Sequence, residues 1–249
     1  MAPKFVLITG ANRGLGFGIA KRFLASPNNT VIVPVRRPEH ESVKALAKLP
    51  RGSGSSLIVP SSKYDATVEQ DTFNVVKELV EKHGIDHLDI VVANAGGGVV
   101  YPLVKDVKRK DIEEHMTLNV YSVVSLYQAT RDLLHKSTRN PTFAITGSSA
   151  GSLGHQPPVP NAAYGAAKCT LPWYALRICA EDDWLNAFVI DPGFVQTEGG
   201  NSAAKIFGME EAPTGVDEST DGMFKVIITA TKEKYGGKPV LYTGEVQGY

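Results

Sequence analysis

Two side chains that could transfer a proton lie four residues apart, at Tyr164 and Lys168. On a helix, positions i and i+4 lie on one face, so the phenol and the ammonium group would point into the same space. A phenol has an unperturbed pKa of roughly 10, and a neighbouring cation favours its ionised form. The pair is suited to passing a proton to or from a substrate oxygen, although many solvated helix faces carry the same spacing.

The elements that must position this pair alternate along the chain. Short apolar runs predict strands at 5–8, 30–33, 56–59, 88–93, 142–145, 186–190 and 238–242, and the pattern predicts helices at 17–24, 67–82, 111–136 and 161–180. Nearly continuous apolar strands that alternate with helices are typical of a parallel sheet covered on both faces. We therefore predict an α/β fold with a single Rossmann-type, doubly wound domain of about seven parallel strands over residues 1–249.

One stretch, 196–216, is rich in Gly, Ala and Pro and has no clear period. Because it follows the sixth predicted strand, we interpret it as a mobile substrate lid rather than a second domain.

The composition narrows the classes of partner. The chain has 249 residues, a formal net charge of zero and 43% hydrophobic residues, as in an ordinary globular protein. A zero net charge argues against nucleic acid or an anionic membrane as a partner. The first residues lack a long apolar segment that ends in small residues, so we expect no signal peptide and a cytoplasmic location.

A glycine-rich turn follows the first predicted strand, with Gly10, Gly14 and Gly16 in the pattern G-x-x-x-G-x-G. A strand, a glycine turn and a helix in this order place backbone N–H groups against a pyrophosphate at a helix N-terminus. A simple turn between a strand and a helix rarely needs three glycines. The turn therefore indicates a dinucleotide cofactor.

Three arginines favour NADPH over NADH. Arg36 and Arg37 follow the second predicted strand, where an acidic residue would select NAD by binding the ribose 2′-hydroxyl, and Arg13 lies in the glycine turn. Guanidinium groups match a phosphate monoester, although any one of the three could be a solvated loop residue. Asp65, after the third predicted strand, could accept a hydrogen bond from the adenine amino group or cap the following helix.

Further motifs occur in a fixed order along the chain: Asn94-Ala95-Gly96 after the fourth strand, Asn119, Ser149, Tyr164-x3-Lys168, and Pro192-Gly193-x3-Thr197. Together with the glycine turn, they make the chain resemble the short-chain dehydrogenase/reductase family from its first strand to its last. Within that family, the stretches GHQPPVPNAAY at 154–164 and KEKYGGK at 232–238 resemble the fungal norsolorinic acid ketoreductase-like branch. The cofactor contacts are then Gly10, Asn12, Arg13, Gly14, Leu15, Gly16, Arg36, Arg37, Asp65, Asn94, Ala95, Gly96, Tyr164, Lys168, Pro192, Gly193, Val195 and Thr197.

The resemblance implies a role for each catalytic side chain. Ser149 would hold the substrate oxygen, and Tyr164 would give its proton to that oxygen as hydride arrives from the nicotinamide. Lys168 would lower the pKa of Tyr164 and contact the nicotinamide ribose. Asn119 would support a water that links Lys168 to solvent, and Thr197 would touch the nicotinamide carboxamide.

Three local features complicate this assignment. Ser148 precedes Ser149, and either hydroxyl could instead cap a strand end. The loop at 154–160 makes the sequence separation between Ser149 and Tyr164 fifteen residues, slightly longer than is common in the family. Pro172 cannot donate a hydrogen bond to the Lys168 carbonyl, so a helix kink is expected there.

We expect no metal site. His83 and His87 have helical spacing, but Gly84 interrupts the helix between them. His155 lies in the loop before Tyr164, where substrate contact and a plain solvated loop are equally weighted.

The predicted pocket segments are apolar and aromatic, with Gly98, Tyr101, Pro157, Phe194 and Phe207. They suit a bulky, flat ketone, and with the resemblance they indicate a polyketide or other polycyclic ketone of fungal secondary metabolism. Two alternatives stay open: a broad carbonyl reductase, and a protein that binds NADPH without turnover.

The resemblance also implies homodimers or homotetramers packed through the helices at 111–136 and 161–180. Apolar residues such as Val120, Val123, Leu126 and Leu176 would fit either that interface or a core face.

Overall fold

The computed structural model describes residues 3–249; Met1 and Ala2, the start of the stretch considered for a signal peptide, lie outside the described residues. Its sheet has seven strands: β1 (Lys4–Ile8), β2 (Asn29–Ile32), β3 (Ser56–Ile58), β4 (Ile90–Ala93), β5 (Thr142–Thr146), β6 (Asn186–Asp191) and β7 (Pro239–Leu241). All neighbouring strands pair in parallel, in the order β3-β2-β1-β4-β5-β6-β7. The predicted α/β doubly wound fold is confirmed.

Helices cover both faces of the sheet. They are α1 (Gly14–Ala25), α2 (Glu41–Ala47), α3 (Glu69–His83), α4 (Arg109–Met116), α5 (Ser122–His135), α6 (Tyr164–Cys169), α7 (Leu171–Glu181), α8 (Glu198–Ile206), α9 (Val216–Ile228) and α10 (Lys232–Tyr235). A π-helical segment, Thr117–Tyr121, joins α4 to α5, and a short 3₁₀ helix covers Ser149–Gly151.

Two hydrophobic cores result, one on each face. Strand side chains alternate between the faces, so Val6 and Ile8 of β1 pack with α1, α2 and α9, whereas Leu7 packs with α3, α5 and α7. Burial on both faces explains why the strands read as continuous apolar runs.

The order of strands reverses between β1 and β4. In open α/β sheets, the crevice outside the carboxyl ends of the strands at this point is where ligands bind. The glycine turn after β1 and the Asn94 segment after β4 both border that crevice.

Two predicted helices differ from the structure. The stretch 111–136 is interrupted by the π-helical segment, and 161–180 divides at Thr170 into α6 and α7. Pro172 lies in the first turn of α7, where a missing N–H costs little because that group has no partner within the helix. The helix boundary therefore replaces the expected kink.

The stretch 196–216 is also more regular than its composition indicated. It contains α8, whose first turn is capped by the Thr197 hydroxyl accepting from Gly200 N at 3.0 Å. Among residues 3–249, no helix combines the length and the apolar character needed to cross a bilayer.

Candidate active site

The glycine turn brings the start of α1 close to the ends of β1 and β4. Gly10 and Gly14 have φ values of +65° and +55°, which favour glycine. A Cβ at Gly16 would stand 2.5 Å from the Gly10 carbonyl oxygen, and one at Gly10 would stand 3.1 Å from Ala95 Cα. Side chains at these positions would push the turn away from the chain after β4. We call this closely packed turn, residues 10–16, the glycine cradle.

Asn94 ties the two central strands together beneath that cradle. Its Nδ2 donates to Thr9 O at 2.9 Å, and the Thr9 hydroxyl accepts from the amides of Asn94 and Ala95, each at 3.0 Å. The Asn94 side chain thus fixes the spacing between β1 and β4 at the point where the strand order reverses.

The three predicted phosphate-binding arginines are exposed at the rim of the crevice. Arg13 forms an ion pair with Glu198 at the start of α8, so it links the glycine turn to the segment interpreted as a lid. Arg36 and Arg37 lie between β2 and α2. Asn12 reaches the same region, because its Nδ2 donates to Ser42 Oγ at 3.1 Å.

Asp65 does not cap α3, whose N-cap is Val68. Its Oδ1 accepts instead from the backbone and the hydroxyl of Thr67, at 3.1 and 2.7 Å. Burial alone would raise the pKa of Asp65, but these hydrogen bonds and the charges of Arg36 and Lys63 lower it overall. The helix-cap alternative is therefore wrong, and Asp65 is an ionised side chain near Arg36.

Lys168 is buried beside Tyr164, with 6% of its surface exposed. Its Nζ donates to Thr146 O at 2.8 Å and lies 5.7 Å from the centroid of the Tyr164 ring. Burial lowers the pKa of Lys168 to about 8, against the opposing charge of Asp191. The i, i+4 pair therefore shares one buried space at the end of β5.

The pKa of Tyr164 is raised, contrary to the expectation that Lys168 lowers it. Burial is the largest cause, and a hydrogen bond with Ser148 opposes it. Because the phenol resists ionisation, Tyr164 holds its proton at neutral pH and can act as a donor.

Ser148, rather than Ser149, lies against the Tyr164 phenol. Ser149 acts instead on the carboxylate of Asp191, where it opposes the rise in pKa that burial causes. The two serines differ in backbone conformation: Ser148 is the extended residue before the 3₁₀ helix, and Ser149 is the first residue of that helix. The sequence prediction gave Ser149 the role of holding the substrate oxygen, and the contact with Tyr164 favours Ser148 for that role instead. In addition to its contact with Tyr164, the Ser148 hydroxyl accepts from Ala150 N at 3.2 Å and so caps the 3₁₀ helix.

Asn119 lies in the π-helical segment and is 1% exposed. Its Oδ1 accepts from Gly97 N at 2.9 Å, and its Nδ2 donates to the carbonyls of Gly97 and His115, each at 3.0 Å. A Cβ on Gly96 would stand 2.9 Å from Asn119 Oδ1. Asn119 therefore holds the chain after β4 close to Lys168.

The segment after β6 returns to the glycine turn. Gly193 has a φ of +78°, and its amide donates to Asp191 Oδ1 at 2.9 Å. Val195 is buried, and Thr197 Cγ2 lies 3.4 Å from the position of a Cβ on Gly14. The motif that begins at Pro192 thus closes the crevice opposite the turn.

Comparison with known proteins identifies the arrangement. The family model described as short chain dehydrogenase matches residues 4–205. The chain belongs to the short-chain dehydrogenase family. It is 41% identical to norsolorinic acid ketoreductase of Dothistroma septosporum over 95% of this chain and 88% of that protein. It is 37% identical to a short-chain dehydrogenase of Pyricularia oryzae over 94% of this chain and 93% of that one.

Among solved structures, an NADPH-bound carbonyl reductase from chicken fatty liver has the same fold, with a TM-score of 0.85 at 23% identity over the whole of both chains. This short-chain dehydrogenase is an oxidoreductase that acts on carbonyl or alcohol groups with a nicotinamide cofactor.

Aromatic rings line the substrate side of Tyr164 in this short-chain dehydrogenase. The Tyr101 ring lies 6.1 Å from that of Tyr164 and 5.2 Å from that of Phe207, and Phe194 lies 6.4 Å from Phe207. Phe207 directly follows α8, so the stretch 196–216 contributes a ring to this aromatic group. His155 is exposed, with its amide bound to Ser152 Oγ.

Sequence reasoning missed two buried residues of the site. Asp191 ends β6 at 3% exposure, and its charge acts on both Tyr164 and Lys168. His115 is fully buried next to Tyr164. A carboxylate at the end of an otherwise apolar strand is the signal that could have found Asp191. His115 lies in a predominantly polar helix, so its sequence context carries no such signal.

The predicted histidine pair faces carboxylates. His83 lies 3.5 Å from Glu78, and His87 contacts Asp86. Within residues 3–249, no three His, Cys, Asp or Glu side chains lie close enough together to hold a metal ion.

Proposed function

We propose that this short-chain dehydrogenase is an NADPH-dependent ketoreductase that reduces the carbonyl of a bulky, apolar, polycyclic ketone. The observation that carries the proposal is the meeting of three groups: a protonated Tyr164, a Ser148 hydroxyl against it, and the Tyr101 and Phe207 rings beside it. The identity of 41% to a norsolorinic acid ketoreductase supports a polyketide-like substrate.

The residues around the crevice fit a dinucleotide. The glycine cradle would receive the pyrophosphate, and the segment from Pro192 to Thr197 would face the nicotinamide end. When bound, the cofactor supplies hydride to the substrate carbon. The 2′-phosphate would lie near Arg36, Arg37 and Asn12, while Arg13 is shared with Glu198.

The chain's own groups manage the charge that develops on the substrate oxygen. Ser148 donates a hydrogen bond to that oxygen, and Tyr164 transfers its proton to it. Lys168 supplies a fixed positive charge that favours the tyrosinate left behind. Asp191 keeps Lys168 protonated against its burial. Thus each side chain stabilises the alkoxide or its proton donor.

We also propose that residues 196–216 move as a lid. The base of the segment is closed by Gln196 N donating to Thr214 O and Thr214 N donating to Phe194 O, each at 2.9 Å. Between these points, Glu198 and Phe207 reach across the crevice to Arg13 and Tyr101. Opening at the base would release both contacts together.

We further propose that the chain self-associates through α5 and α7. Val120, Val123 and Leu126 belong to the core, but Trp173 and Leu176 are 59% and 43% exposed. A Trp173→Ser and Leu176→Ser double variant should lower the molar mass measured by light scattering. An unchanged mass, or a monomeric parent protein, would contradict this interface.

The main test compares ketone reduction by the parent protein and Tyr164→Phe. The parent should oxidise NADPH in the presence of 2-acetylnaphthalene or norsolorinic acid, and removal of the phenol should lower kcat by about 10²- to 10⁴-fold. The Kd for NADPH, from fluorescence titration, should stay within about twofold, since a phenyl ring retains the volume. Retained turnover in the variant would refute the mechanism.

Cofactor choice needs its own test. Arg36→Ala combined with Arg37→Ala should reduce the ratio of kcat/KM with NADPH to that with NADH by about tenfold or more, because two charge-assisted contacts to phosphate are lost. Equal efficiencies in the parent protein would reject NADPH selectivity. NADPH binding without reduction of any ketone would instead favour the non-catalytic alternative.

A further inference from the structure

His115 makes two side-chain hydrogen bonds inside the protein, although none of its surface is exposed. Nδ1 lies 2.6 Å from Asp111 O, and Nε2 accepts from Val99 N at 3.0 Å. A carbonyl oxygen can only accept, and a backbone amide can only donate. The imidazole is therefore neutral, with its proton on Nδ1.

The hydrogen bond from Val99 N to His115 Nε2 connects the loop after β4 to α4. The same loop is held two residues earlier, where Gly97 exchanges hydrogen bonds with Asn119. The two holding residues are themselves joined, because Asn119 Nδ2 donates to the His115 carbonyl at 3.0 Å. The last turn of α4 and the π-helical segment that follows it thus clamp the loop at two points.

The clamped loop carries a wall of the pocket. Tyr101 packs its phenol so closely over Gly98 that a Cβ there would stand 2.2 Å from the Tyr101 hydroxyl. The Tyr101 ring also packs against the Tyr164 ring. The centroid of the His115 ring lies 6.3 Å from that of Tyr164, so His115 also contacts Tyr164 directly. Any displacement of Val99 would therefore move Tyr101 relative to Tyr164.

We propose that His115 is a positioning residue for ketone binding: its Nε2 holds Val99, and through Val99 it keeps Tyr101 beside Tyr164. The inference deepens the proposed ketone reduction and rests on it. His115 acts through the loop, so its loss should affect ketone binding more than proton transfer or the cofactor.

Two amide variants separate the two bonds of the imidazole. In His115→Gln, the amide oxygen reaches the former position of Nε2 and can accept from Val99 N. In His115→Asn, the shorter side chain reaches only the former position of Nδ1, so the bond to Asp111 O is kept and the bond to Val99 is lost. Each variant places a polar amide in the same buried space, which makes them matched controls.

The kinetic readout is KM for 2-acetylnaphthalene at saturating NADPH, set against kcat and the Kd for NADPH. We expect His115→Asn to raise KM about tenfold, equivalent to about 1.4 kcal/mol. Its kcat and Kd for NADPH should remain within about twofold, and His115→Gln should stay near the parent in all three. Equal KM values in the two variants would overturn the proposal.

Amide hydrogen exchange at Val99 gives a readout independent of turnover. Exchange should be faster in His115→Asn and close to the parent rate in His115→Gln. If the parent protein reduces no ketone, the proposed function fails, while the exchange rates still decide whether His115 holds the loop. Should His115→Asn not fold, fast Val99 exchange or a raised KM in His115→Gln is enough to contradict the clamp.

Discussion

The two ends of the crevice are built in different ways. At the proposed cofactor end, glycines and the hydrogen bonds between side chain and backbone of Thr9 and Asn94 set the shape, and the contacts join adjacent strands. At the substrate end, side chains from Tyr101, Tyr164 and Phe207 meet from three distant segments. A backbone-built site tolerates little change in shape, whereas a wall of side chains on loops can change with the substrate.

The largest effect in this comparison is expected on kcat, at the two serine hydroxyls near Tyr164. Ser148→Ala should reduce kcat for ketone reduction by about 10²-fold, because a hydrogen-bond donor to the developing alkoxide is lost. Ser149→Ala is the matched control, and it should change kcat only severalfold through Asp191. The measurement is steady-state kinetics with NADPH saturating, and a larger loss in Ser149→Ala would restore the original assignment.

The cofactor end should be intolerant of a single methyl group. Gly16→Ala would place its Cβ 2.5 Å from Gly10 O and 2.6 Å from Asn94 Nδ2, so the turn must shift. We expect the Kd for NADPH to rise about tenfold or more in fluorescence titrations. Gly199→Ala, in the exposed first turn of α8, meets nothing within 4 Å and should bind NADPH as the parent does. Similar affinities in both variants would argue against a backbone-built end.

At the substrate end, we expect substitutions to raise KM only in proportion to the apolar volume that they remove. Phe207→Ala removes the ring that packs on Tyr101, and Phe207→Leu keeps much of its apolar volume. KM for a polycyclic ketone should rise about three- to tenfold in the alanine variant and less in the leucine variant, while KM for acetone-sized ketones stays the same. An equal rise for small and large ketones would count against an aromatic wall.

The smallest expected effect concerns pH. Lys168 has a pKa of about 8, so kcat/KM for ketone reduction should decline as pH rises through that value and the ammonium loses its proton. The Asp191 charge raises this pKa. Asp191→Asn should therefore move the decline to lower pH. A decline that moves to higher pH would have the wrong sign and would exclude this coupling.

Much of the fold could be predicted because the strands are buried on both faces. Their apolar runs, the alternation with helices and the glycine turn all reflect local requirements of chain geometry. The prediction was poorer at interruptions within helices, since Pro172 was expected to kink one helix and instead lies in the first turn of a new one. The division at Thr170 and the π-helical segment depend on tertiary contacts, namely packing against the 3₁₀ helix and the bonds of Asn119.

The sequence alone determined the alternation of strands and helices, the glycine turn and the pairing of Tyr164 with Lys168, because each depends on residues a few positions apart. Only the tertiary structure decided which serine faces Tyr164, that burial raises the pKa of Tyr164, and that Asp191 and His115 border the site. These outcomes depend on side-chain direction and on burial among segments far apart in sequence, which spacing along the chain does not specify.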